Sequence, residues 1–165
     1  MNKGVPEANL IGCGKGGTLD LGWAKISMVS ADHSSSCGFS DDGIAMYAGA
    51  AIGWVLRLKN GVSIYHAGDT GVFTDMKIIN DLYRPTHMCL PIGGHFTMGP
   101  EEAAYAVKYF LTGAHTIIPM HYMTFPRLAG DLPEFNAYLQ EQGVEGKRVV
   151  DSYSELLGQW MQLSP

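Results

Sequence analysis

The feature that most constrains this chain is a strand-like run, residues 62–70, that ends abruptly at Asp69. β-Branched and aromatic residues dominate the run, as is typical of a strand. Glycines on both sides of Asp69 predict that the strand stops there and turns. A carboxylate at the end of a buried strand is well placed for chemistry, because the scaffold fixes it and the loop exposes it. A simple turn or helix cap at Asp69 is an equally good interpretation of this stretch alone.

The order of the predicted elements changes near residue 73. Before it, short strands separated by glycine-containing turns predict an antiparallel meander. After it, helical and strand patterns alternate, which predicts an α/β layer with some parallel pairing. The predicted strands cover 18–21, 24–31, 44–48, 52–58, 62–67, 87–92, 114–119 and 148–150, and the predicted helices cover 73–83, a segment from Pro100 to a cap at Gly113, and 132–142.

Composition excludes several classes of protein. The 165 residues, 46% of them hydrophobic, predict one globular domain. A net charge of −5 without a run of Lys or Arg argues against a nucleic-acid partner. The three cysteines are far apart and form no C-x-x-C pair, which argues against a disulfide scaffold or a thiolate zinc site. No apolar run is long enough to span a membrane and no signal-peptide pattern is present, so the sequence predicts a soluble, cytoplasmic protein.

Four candidate ligand residues share one context. His33, Asp69, His95 and His121 each lie at the end of an apolar strand or in the loop beyond it. Imidazole together with carboxylate is a ligand set that zinc and similar divalent ions accept. A single histidine is more often a hydrogen-bonded loop or core residue, and strand-end position alone does not prove that the four converge.

The other histidines have simpler interpretations. His66 lies three residues before Asp69, so in a regular strand the two side chains point to opposite faces. We therefore interpret His66 as a core or supporting histidine rather than a ligand. His87 opens a strand and His115 follows a glycine turn, and both are predicted to be structural.

Four motifs together carry a family resemblance: residues 31–36, 66–71, 91–103 and 118–122. In order and context they resemble the metallo-β-lactamase-fold metal-dependent hydrolases. Within that family they most resemble a prokaryotic branch near the ascorbate-phosphate lactonase and tRNA-processing phosphodiesterase groups. The resemblance extends from about residue 10 to residue 128. It implies an α/β fold, an αββα sandwich of two facing sheets with a dinuclear metal site at one edge.

The resemblance also implies roles for the candidate residues. His33 would bind the first metal, Asp69 would bridge both metals, and His121 would complete the second. The expected cofactor is a pair of zinc ions, with manganese, iron or nickel as alternatives. A metal-bound hydroxide would attack a small-molecule ester, lactone, amide or phosphodiester. The catalytic assignments are Asp69 and His95, with His95 facing the substrate as proton donor or oxyanion partner.

One departure from the family pattern is large. The H-x-H-x-D-H signature is absent, which leaves two protein ligands per metal where a catalytic zinc typically uses three. We therefore expect residues 1–165 to form a single incomplete domain that lacks the N-terminal part and its metal-binding motif. The sheet left behind would expose an apolar face, which predicts a homo-oligomer or a complementing N-terminal segment as partner.

Three functional hypotheses remain. The first is the C-terminal part of a metal-dependent hydrolase, inactive or incomplete as this chain alone. The second is a non-catalytic remnant or partner-binding module that keeps half of the fold. The third, a nucleotide-binding module, depends only on the glycine-rich loop at residues 12–17, which lacks a phosphate-loop fingerprint.

Overall fold

The computed structural model describes residues 4–151 and 161–165, and its main feature is one mixed sheet. The strands are Thr18–Asp20 (β1), Ala24–Ser30 (β2), Ser36–Phe39 (β3), Ala45–Tyr47 (β4), Ile52–Leu58 (β5), Ser63–His66 (β6), His87–Pro91 (β7), Thr116–Met120 (β8) and Arg148–Val149 (β9). Seven of them form this sheet in the order β1-β2-β5-β6-β7-β8-β9, and the two short strands β3 and β4 form a separate hairpin. The helices are Met76–Tyr83 (α1), Pro100–Tyr109 (α2) and Leu132–Glu141 (α3), and Glu7–Asn9 forms a 3-10 turn.

The sheet changes from antiparallel to parallel at β6. β1, β2, β5 and β6 pair antiparallel, and β6, β7, β8 and β9 pair parallel. The Asn60-Gly61 turn joins β5 to β6, with Gly61 at φ 91° and the Asn60 side chain accepting from the Val62 N–H. Because β5 is antiparallel to both β2 and β6, the strands β2, β6, β7 and β8 all run in one direction. Their carboxyl ends therefore meet at one edge of the sheet.

The three helices and one face of the sheet enclose the core. Each helix connects two parallel strands, and its apolar stripe packs on that face. α1 ends where Arg84 turns left-handed before Pro85, and Asp131 caps α3 by accepting from the Glu134 N–H at 2.8 Å. The buried core includes Tyr65, Met88, Leu90 and Ile117 from strands and Met76, Ala103, Val107 and Phe135 from helices.

The other face of the sheet is apolar but only half-buried. Alternation along the strands places Ile26, Met28, Trp54, Leu56 and Ile64 on this face, in register across β2, β5 and β6. The facing sheet of the sandwich is not among residues 4–151 and 161–165. The described part of the chain is therefore one sheet with helices on one side, which agrees with the expectation of an uncovered apolar face.

Two details of the predicted elements were wrong. The polar loop after β2 contains β3, which pairs with β4 instead of leaving β4 in the main sheet. α2 ends at Tyr109, and Gly113 is not its cap; its N–H instead donates to the Asn80 side chain at 2.9 Å. None of the helices in the described ranges has the length and hydropathy needed to cross a lipid bilayer.

Candidate metal site

All four candidate residues lie at the edge where the carboxyl ends of β2, β6, β7 and β8 meet. His33 follows β2, Asp69 follows β6, His95 follows β7 and His121 follows β8. The sequence predicted strand-end positions for each of them. The topology adds that the four strands are co-directional, so the loops that carry these residues share one side of the molecule.

Asp69 and His121 are the closest pair. His121 Nε2 lies 3.7 Å from Asp69 Oδ2, too far for a strong hydrogen bond but short enough for both to face one small ligand. The Asp69 side chain is 56% exposed and that of His121 is 27% exposed. The second ring nitrogen of His121, Nδ1, is buried without a hydrogen-bond partner in the described part of the chain. The pair therefore has donor atoms that other protein groups leave unused.

His33 shares an open cleft with Asp69. The cleft has a volume of about 400 Å³ and is lined by both residues, by Ser34–Ser36 and by Ala51 and Ile52. His33 Nδ1 lies 2.6 Å from the Ser34 carbonyl oxygen. That contact fixes Nδ1–H as the donor and leaves Nε2 as a lone-pair donor for a metal.

Thr70 holds the His33 and Asp69 loops together. Its side chain is fully buried, and its hydroxyl accepts from the Asp32 N–H at 2.9 Å and donates to the Gly71 carbonyl at 2.7 Å. The Gly71 N–H in turn donates to the Asp32 carbonyl at 2.8 Å. The positions of His33 and Asp69 are thus set by a buried hydroxyl between them.

The His95 loop is tied to the same place. The Met98 N–H donates to the Thr70 carbonyl at 2.9 Å, and a Cβ at Gly93 would collide with the His121 carbonyl oxygen. His95 and His121 both have positive φ, 59° and 55°, a backbone region that residues with side chains rarely adopt. Such strain is retained mainly where the surrounding structure dictates it, and it is common at functional sites.

These residues fit a divalent metal in kind but not in number. Two imidazoles and a carboxylate are suitable donors for zinc, manganese or iron, and the His121 nitrogen that faces Asp69 is Nε2. Within residues 4–151 and 161–165, however, no three His, Cys, Asp or Glu side chains converge as a metal site. The described residues therefore form a partial ligand set.

Sequence reasoning missed two residues at this edge, and one of its two interpretations of a third, His66, was wrong. Thr70 was visible only as part of the Gly-Asp-Thr-Gly turn, and Arg127, whose Nη1 lies 3.2 Å from His95 Nε2, carried no pattern. His66 is exposed, which contradicts the core alternative of its interpretation and leaves the supporting one open; its Nδ1 accepts from the Gly68 N–H at 3.2 Å. The structural interpretation of His87 agrees with its near-complete burial.

A family model and curated relatives both match most of this chain. Residues 2–122 match the family model described as a β-lactamase superfamily domain. The UPF0173 metal-dependent hydrolase of Chloroflexus aurantiacus is 46% identical over 86% of this chain and 57% of its own length. That of Roseiflexus castenholzii is 46% identical over 87% of this chain and 57% of its own. The chain thus spans little more than half the length of these relatives.

A solved structure agrees with the sequence relatives. Igni18, a metallo hydrolase from the archaeon Ignicoccus hospitalis, superposes with a TM-score of 0.67 at 35% identity. The superposition covers 85% of this chain and 56% of Igni18. On the family match, the identity to curated relatives and the shared fold, this chain belongs to the β-lactamase superfamily of metal-dependent hydrolases.

Proposed function

We propose that this chain supplies His33, Asp69 and His121 to the metal site of a hydrolase that cleaves a small-molecule ester, lactone or phosphodiester. The observation that carries the proposal is the Asp69–His121 pair at 3.7 Å, set beside the His33 cleft in a chain related to metal-dependent hydrolases. Zinc is the first candidate, because imidazole and carboxylate are its usual partners outside thiolate sites.

Each residue has a distinct part in this proposal. His33 and His121 offer imidazole nitrogens, and Asp69, which shares a cleft with His33 and lies 3.7 Å from His121, offers the carboxylate. A divalent ion held there would supply Lewis-acid chemistry, polarising the scissile bond and making water a better nucleophile. His95, exposed at the same edge, would contact the substrate rather than the metal. The remaining ligands would come from polypeptide outside this sequence.

The alternative function is a non-catalytic partner-binding module. The observation that favours it is the half-buried apolar face of β2, β5 and β6, which is a surface suited to protein contact. Both functions predict the same fold, but they differ in whether the ligand residues still bind metal.

Zinc stoichiometry and affinity test the proposal. We expect the purified, metal-stripped chain to bind one zinc ion by isothermal titration calorimetry. Asp69→Asn and His121→Ala should each weaken that binding by at least about tenfold. His115→Ala is the matched control, because His115 is a half-buried histidine that precedes β8, at the edge of the sheet opposite the proposed ligands.

Two results would contradict different parts of the proposal. If no zinc binds, or if all variants bind zinc equally, the ligand assignments are wrong. If two zinc ions bind tightly, the ligand set is complete and the proposal that other polypeptide contributes is wrong. Metal-dependent hydrolysis of a p-nitrophenyl ester or phosphodiester that Asp69→Asn abolishes would exclude the non-catalytic alternative.

A further inference from the structure

Arg127 and His95 form an unusual pair of basic side chains at the site edge. Arg127 Nη1 lies 3.2 Å from His95 Nε2, and both side chains are exposed. A guanidinium group can only donate, so His95 Nε2 is the acceptor in this contact. No carboxylate among the described residues forms an ion pair with Arg127. The guanidinium therefore retains donors, and a positive charge, that an external anion can use.

The pair lies next to the proposed metal ligands. The loop that carries His95 is bonded to the carbonyl of Thr70, the neighbour of Asp69, and its Gly93 packs on the His121 backbone. Arg127 is in the turn after His121, which is closed by Met123 N–H to Leu128 O and Leu128 N–H to Phe125 O bonds, both 2.9 Å. A substrate held by this pair would lie at the same edge of the sheet as Asp69 and His121.

Two aromatic side chains flank the basic pair. The Phe96 ring packs edge-on against His95, with centroids 4.4 Å apart, and lies 6.1 Å from the Phe125 ring. Both phenylalanines are nearly half exposed, 48% and 46%, so their faces are open to a ligand. An apolar surface beside unpaired positive charge matches a molecule that has an apolar body and an anionic end.

From this arrangement we propose that Arg127, oriented by His95, binds an oxyanion group of the substrate, a phosphate or a carboxylate, while Phe96 and Phe125 contact its apolar body. The guanidinium fork matches both groups in bidentate geometry. This assigns a substrate class to the site and rests on the proposed hydrolytic function. It also makes His95 a positioning residue, because its Nε2 accepts from Arg127 and orients the guanidinium.

Binding of small probes to metal-free protein tests the assignment without requiring catalysis. We would titrate the chain with phenyl phosphate, phenylacetate and benzyl alcohol and follow the His95 ring signals by nuclear magnetic resonance. At least one anionic probe should bind about tenfold more tightly than benzyl alcohol. Arg127→Gln should weaken its binding by about tenfold or more, as expected for loss of a charged hydrogen bond. The anion whose binding is weakened more by Arg127→Gln identifies phosphate or carboxylate as the group recognised.

Two further variants make the test specific. Arg127→Lys, which keeps the charge but loses the fork, should fall between wild type and Arg127→Gln. Arg84→Gln removes an exposed arginine at the end of α1 and should leave binding unchanged. Equal losses in Arg84→Gln and Arg127→Gln, or no preference for the anions, would overturn the proposal.

Zinc titration of Arg127→Gln separates this inference from the proposed function. Unchanged zinc binding in a protein that shows no anion preference would refute the oxyanion site alone. Anion binding that depends on Arg127, in a chain that binds no zinc, would refute the metal-site proposal and leave the oxyanion site standing.

Discussion

The two edges of the main sheet both carry histidines, but they use them in opposite ways. At the site edge, His33, His95 and His121 are half-buried or exposed and lie in irregular loops. At the other edge, His87 is 3% exposed and packs edge-on against His115, with ring centroids 5.0 Å apart. The same residue type is thus available to a ligand at one edge and part of the packing at the other.

A threonine organises each edge, and the difference between the two explains the contrast. The Thr70 hydroxyl binds only backbone groups, so the nearby side chains remain free. The Thr86 hydroxyl lies 2.8 Å from His87 Nδ1 and donates to the Ser63 carbonyl, so it occupies a ring nitrogen. One ring nitrogen of His33 and one of His95 are also engaged, by the Ser34 carbonyl and by Arg127. What distinguishes the candidate ligands from His87 is therefore the exposure of their rings, which residue type does not reveal.

The largest expected loss of stability comes from crowding the backbone at the site edge. In Gly93→Ala the new Cβ would collide with the His121 carbonyl oxygen and crowd Leu128, and neither backbone can move without disturbing the His95 loop. We expect a loss of about 3 kcal/mol in the free energy of unfolding, measured by urea denaturation.

Gly71→Ala is the matched control for that measurement. Gly71 lies at the same edge, but its nearest neighbour is the Asp32 carbonyl oxygen at 3.8 Å, an ordinary contact distance. A change within about 0.5 kcal/mol is expected. If Gly93→Ala were as mild as Gly71→Ala, the close packing of the His95 loop on His121 would be refuted.

A smaller effect should distinguish the histidines of the two edges. His87→Ala removes a buried ring and leaves a cavity beside His115, so we expect a loss of about 2 kcal/mol in unfolding free energy. His95→Ala removes an exposed side chain and should change it by less than about 0.5 kcal/mol. Comparable losses would contradict the division into a structural edge and a ligand-binding edge.

Most of the strands and helices could be predicted from the sequence because they depend on local residue patterns. Strand alternation, helical periodicity and the signals at Asn60-Gly61 and Pro100 predicted most of the strands and all three described helices. The strand at β4 was predicted, but β3 and its pairing with β4 were missed, because every residue of β3 is exposed and no burial pattern marks it. Its pairing depends on tertiary context rather than on local preference.

The candidate site was only partly predictable for a related reason. Strand ends marked His33, Asp69, His95 and His121, but the common edge followed only from the strand order of the sheet. Arg127 lies in an irregular turn, and its contact with His95 links residues 32 positions apart. Such a contact leaves no periodicity or spacing in the sequence, so only the folded chain reveals it.

The smallest expected effect is a pH dependence of stability that is caused by His87 at the structural edge. Burial, followed by the charges of His115 and Arg148, lowers the pKa of His87 from its usual value of 6.5. As pH falls below about 6.5 the unfolded chain binds the proton first, so the contribution of His87 to stability is full above that pH. It is lost progressively as pH falls through the lower pKa of the folded state. Urea denaturation between pH 7.5 and pH 5 should show this decline in His95→Ala, as in wild type, and a shallower one in His87→Ala. Equal slopes in all three proteins would mean that His87 is not the group that takes up the proton.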